Sequence, residues 1–163
     1  MKDDLIFSIF MSGGFGVLLS YMFLYFQKSL PDLYKRYTKT EWRLWFISMV
    51  LTVVSVIGLI IWFSFYERLN NRELFICSLC IFLAFAMLWS LSIFYIFKNN
   101  VSTYIQVPIL LIVGLASIGM FISVISTTSN FLIILAAFIV AFHHLVVDGI
   151  YWPHIHGRQM ING

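Results

Sequence analysis

The stretch AFHHLVVDGIYWPHIHG, residues 141–157, holds all four histidines of the chain and its last acidic residue, Asp148. Imidazoles and a carboxylate gathered this closely can do one of three things. They can ligate a transition metal, because nitrogen and oxygen donors of this kind suit Zn, Fe, Cu or Mn. They can pass a proton along a transport path, the usual meaning of ionisable groups among apolar ones. Or they can satisfy one another inside a fold, with a histidine-containing polar tail beyond it.

Spacing narrows the set. On a helix, Ala137, Ala141, His144 and Asp148 recur at i, i+4, i+7 and i+11 and so share one face, small first and polar later. His144 and Asp148 are an i, i+4 pair within direct reach of each other. His143 points about 100° away on an unbroken helix, among Ala136, Val140 and Val147, and stands outside the set. Pro153 disfavours helix at Trp152. The HIH that follows, if extended, places His154 and His156 on one side. Folding back there would bring them toward His144 and Asp148. The expected ligands are therefore His144, Asp148, His154 and His156, with His143 the outlying member. The expected cofactor is a transition metal ion, Zn, Fe or Cu.

The string from His143 to Gly149 also resembles the HHxxxDG motif of condensation-domain and wax-ester-synthase-type acyltransferases. That resemblance implies His144 as a base and Asp148 as a structural carboxylate. It covers seven residues of 163. Those enzymes are large soluble α/β proteins that nothing else in this chain resembles, so the match is read as coincidence. Other chemistries are excluded by counting. Membrane desaturases and hydroxylases need many more histidines than four. A haem held by histidines of two helices cannot be built from one segment, and no apolar run contains a lysine for a Schiff base. No Ser-His-Asp arrangement or phosphate-binding glycine loop stands in a usable context.

What must position these groups follows from composition. The chain is 61% hydrophobic and 10% charged, with mean hydropathy +0.95. A soluble domain of 163 residues cannot hide that much apolar surface. Stretches 5–27, 44–66, 74–97 and 99–147 contain no Asp, Glu, Lys or Arg, and the last is long enough for two spans of about 20 residues. STTSN at 126–130 breaks it. The expectation is an all-α integral membrane protein, a single bundle over residues 1–163 with spans near 5–27, 44–66, 74–97, 107–126 and 131–152. The run that follows MKDD is too long for a signal peptide, has no small-residue cleavage pattern and lacks a basic leader. Cys77 and Cys80, one turn apart in the third run, are read as packing residues.

Lys28, Lys35, Arg36, Lys39 and Arg43 lie in the first connection, Lys98 in the third and Arg158 in the tail. With five spans these share a side, which therefore holds seven of the ten basic residues. The positive-inside rule makes that side cytoplasmic or matrix-like, with the N-terminus outside and the histidines inside. Trp42, Trp45, Tyr34 and Tyr37 are placed as interfacial aromatics around the basic loop. Gly13, Gly16 and Ser20 on the first run, and Gly114, Ala116, Ser117 and Gly119 on the fourth, suit close helix contacts in lipid. The expected partners are the lipid bilayer and other membrane subunits or a second copy, with no nucleic acid. The functional expectation is a small subunit or accessory component of a membrane complex. A proton-coupled transporter or channel using His144 and Asp148 is the alternative, and a membrane-embedded metalloenzyme comes third.

Overall fold

The computed structural model describes residues 3–27, 38–99 and 106–151. Its elements are α1 (Asp4–Phe26), α2 (Lys39–Phe65), α3 (Arg72–Asn99), α4 (Gln106–Ile125) and α5, which runs as α-helix over Phe131–Phe142 and continues over His143–Tyr151. The described residues are otherwise turns and caps, with no strand. All five helices are long and apolar enough to cross a membrane.

Local signals set the ends. Asp3 caps α1 by accepting from the Ile6 N–H at 3.2 Å. Thr38 and Glu41 form a reciprocal capping box, so α2 begins at Lys39, five residues before the charge-free stretch. Asn130, the last residue of the STTSN break, caps α5 by accepting from Leu132 N–H.

The helices pack as a ring in the order α1, α3, α4, α5, α2, with α2 closing back on α1. One end carries Asp3 and the second connection. There Arg72 forks onto the Asp3 carboxylate, and the Asp3 N–H donates to Ser64 O, so α1, α2 and α3 meet at one residue. Asn70 and Asn71 bond Ser126 and Thr127, tying the start of α3 to the end of α4. The core inside the ring has two layers. The larger, toward the Asp3 end, includes Phe63, Phe75, Leu79, Phe82, Met120 and Val140; the smaller, toward the Lys39 end, holds Leu24, Trp45, Trp89, Ile93 and Leu110.

Glycines permit the close contacts. A Cβ at Gly13 would stand 2.6 Å from Leu83 Cδ1, and one at Gly16 would stand 2.7 Å from Met87 Sδ, so α1 lies on α3 through its small stripe. Two expectations are corrected. Trp45 is buried at 5% exposure, because it fills the smaller core layer instead of ringing the bundle. Cys77 and Cys80 are exposed on the outer face of α3, because Phe75, Ser78, Leu79 and Phe82 form its inner face. Tyr34 and Tyr37 lie outside the described residues.

Candidate metal centre

The centre sits where α5 changes its winding. From Phe131 to Phe142 the backbone is α-helical, and its inner face is Ala137, Val140 and Ala141, all buried. From His143 to Tyr151 it is π-helical. Bonding from i to i+5 in place of i to i+4 inserts one more residue per turn, and such turns are frequent at functional sites. Gly114 on α4 accommodates the wider turn. A Cβ there would stand 3.2 Å from Leu145 Cα and 3.4 Å from His144 O, both backbone atoms that cannot swing aside.

The wider winding changes which histidine meets the carboxylate. His143 Nε2 lies 3.5 Å from Asp148 Oδ2, and His144 Nε2 lies 4.0 Å from the same oxygen. The expectation that His143 points away holds only for uniform α-helix. With π winding, residues five apart come onto one side, and His143 joins His144 instead of facing elsewhere. One ligand atom from each of the three residues falls within 4.8 Å of the others. The two imidazoles meet edge to face, with centroids 4.9 Å apart.

Each ring is held by its other nitrogen. His144 Nδ1 is 2.9 Å from Val140 O. A carbonyl can only accept, so Nδ1 carries the hydrogen, and in the neutral ring Nε2 offers a lone pair toward Asp148. His143 Nδ1 is 2.7 Å from Ser48 Oγ on α2. Phe82 of α3 packs edge to face against His144 with centroids 4.7 Å apart. The side chains of His143, His144 and Asp148 are only 4%, 13% and 13% exposed.

The three side chains offer donor types that transition metals accept, grouped within 4.8 Å. Donors 2.0–2.2 Å from one tetrahedral ion stand about 3.3–3.6 Å apart, so small side-chain rotations close the three atoms onto a metal. The ring nitrogens that do not face Asp148 are both hydrogen-bonded, the usual outer support of metal-ligating histidines. A buried carboxyl is costly as an anion unless it is paired, and it can be neutralised by a proton of its own, by a proton shared with the imidazoles or by a metal ion.

Of the residues expected from sequence, His144 and Asp148 are together, His143 is with them, and His154 and His156 lie outside the described residues. Ser48 was missed. Its partner is 95 residues away, on a helix not adjacent in sequence, and a lone serine in an apolar run carries no signal of that contact. The series Ser48, His143, Asp148 therefore exists in the fold although no sequence spacing announces it. No protein-family model, curated protein or solved structure matches the chain, so the centre is interpreted from its own geometry.

Proposed function

We propose that the chain is a multi-pass membrane protein, a subunit or accessory component of a larger membrane complex, whose His143, His144 and Asp148 bind one transition-metal ion inside the bundle. Zn, Fe and Cu fit the nitrogen and oxygen donors. The observation that carries this reading is the convergence of three ligand atoms within 4.8 Å, in the interior of a bundle with few other ionisable groups. His154 and His156, the next histidines in the sequence, are the candidates for remaining coordination positions. Such an ion would act as a Lewis acid or an electron carrier, while the chain supplies the donors, orients them through Ser48 and Val140, and keeps bulk water away.

Orientation follows from charge, with the N-terminus outside and the Lys39 end of the bundle on the cytoplasmic or matrix side. His143 begins the thirteenth position of α5, about 18 Å from Phe131 along the axis at 1.5 Å per residue, which is well inside a hydrocarbon core of about 30 Å. The subunit role fits short connections, five helices with outward apolar faces, and an ionisable cluster confined to α5. Metal content of the protein purified in detergent, compared with the His144→Ala variant, tests the reading. One ion per chain, lost in the variant, supports it.

A proton-handling role is the second reading, favoured by the hydroxyl, imidazole and carboxylate placed in series at Ser48, His143 and Asp148. Its test is pH-driven flux through the protein in liposomes.

A further inference from the structure

We infer that Ser48 of α2 is a positioning residue for the centre, an interhelical anchor that aims His143 Nε2 at Asp148 and ties metal occupancy to the α2–α5 contact; this rests on the metal-centre reading above. All three candidate ligands belong to α5, and the His144 ring is anchored within that helix, at Val140 O. The His143 ring is not. Its Nδ1 meets a hydroxyl from α2 at 2.7 Å.

The chemistry of a hydroxyl suits this place. When Nε2 carries a metal, Nδ1 bears the hydrogen and Ser48 Oγ accepts it. When Nε2–H faces the Asp148 carboxylate, Nδ1 is bare and Ser48 donates. One side chain therefore satisfies both states without movement, which neither a carbonyl nor an ammonium can do. An alanine at position 48 would remove this partner from Nδ1 of a ring only 4% exposed, and the ring would lose the contact that sets which of its nitrogens points at Asp148. Loss of such outer support lowers metal affinity by about 10–100-fold.

The location adds a second consequence. α2 follows directly on the basic first connection, and it packs on α5 mainly over Phe131–Phe142, with fewer contacts to the π segment that carries the centre. Because the anchor crosses between these helices, a metal that fixes His143 also fixes α2 against α5. By reciprocity, whatever loosens that contact weakens the metal by the same factor.

The test uses the full chain in detergent, titrated with Co(II), whose visible absorption reports its ligands. Ser48→Ala should lower the affinity about 10–100-fold and alter the absorption of the bound ion. Ser48→Thr, which keeps the hydroxyl, should restore affinity to within about threefold of wild type. Ser55→Ala, which removes a different hydroxyl of α2, buried at 8% exposure, should leave affinity and spectrum unchanged. Wild-type affinity and spectrum in Ser48→Ala would overturn the role of Ser48 while leaving the centre intact. Equal weakening in Ser55→Ala would overturn it too, as general loosening of α2. No Co(II) binding by wild type would instead bring down the centre itself, and this inference with it.

Discussion

His143 and Asp148 face each other, Nε2 to Oδ2 at 3.5 Å, although five residues separate them and a regular α-helix would hold them well apart. The π winding from His143 to Tyr151 brings them together, and it sets both adjacent histidines beside one carboxylate. His143 and His144 should therefore matter alike. Alanine at either position, or at Asp148, should abolish metal binding in equilibrium dialysis, and the His143, Asp148 double variant should lose little more than either single one. Retention of full binding by His143→Ala would show that the π winding does not place it in the set.

Gly114 packs tightly on the π segment, where a Cβ would stand 3.2 Å from Leu145 Cα and 3.4 Å from His144 O, so a larger side chain requires the backbone to move. Gly114→Val should force α4 and α5 apart. We expect a loss of about 1–3 kcal/mol in stability, as for overpacked cores, together with loss of bound metal. Thermal unfolding in detergent with and without metal measures both. An unchanged melting temperature with intact metal binding would mean that the two helices slide without disturbing the centre.

The contact of α1 with α3 gives a companion test away from the centre. Leu83 and Met87 lie against Gly13 and Gly16. Leucine at either glycine should destabilise the bundle by about 1–3 kcal/mol, and alanine should do so less, because its single added carbon meets side-chain atoms of Leu83 and Met87 instead of backbone. Metal affinity should survive these changes in the protein that remains folded. Indifference of the melting temperature to both leucines would show that α1 is free to pack elsewhere.

The Asp3 end has its own pH dependence. The Arg72 guanidinium hydrogen-bonded to Asp3 holds its carboxyl below the usual value of 3.8, against the opposing effect of burial. A depressed folded-state value means the carboxylate stabilises the fold above pH 3.8, and that this stabilisation fades as pH falls through the lowered value. Acid unfolding of the wild type should thus include a component, below the ordinary carboxylate range, that Asp3→Asn lacks. At neutral pH, Asp3→Ala should cost about 1 kcal/mol from the lost α1 cap alone, and Arg72→Ala should be destabilising in the same direction. Superimposable acid-unfolding curves for wild type and Asp3→Asn would contradict this.

Much of the bundle was legible in the sequence because helices long and apolar enough to cross a membrane follow a coarse rule of length and charge. Charge-free runs of sufficient length, separated by polar connections, gave five helices, and the STTSN break foretold the cap at Asn130. Finer features needed tertiary information. Thr38 and Glu41 stand at capping-box spacing, a local signal in the sequence for the early start of α2 at Lys39. Trp45 was placed at an interface by its proximity to basic residues, whereas the gap between α2, α3 and α4 claims it for the core. The phase of His143 depended on assuming 3.6 residues per turn throughout α5, and nothing in the residue pattern marks the change. Ser48 is the clearest limit, since only the closing of α2 onto α5 gives it a histidine.

Orientation is tested by a reporter fused after Gly163. It should be active on the cytoplasmic side, because seven of the ten Lys and Arg residues lie on the connections and tail that share that side. A reporter active only outside would reverse the bundle and place the Lys39 end, with the centre nearest to it, toward the exterior.

The central claim is that His143, His144 and Asp148 close on one metal ion. X-ray absorption spectroscopy of the metal-loaded full chain tests it most directly. A first shell of nitrogen and oxygen only is expected, at about 2.0–2.2 Å, with the outer-shell scattering of at least two imidazoles, and with no bound metal in the His143→Ala or His144→Ala variants. A sulfur shell would assign any metal to Cys77 and Cys80 instead, and a wild-type protein that retains no metal would contradict the account outright.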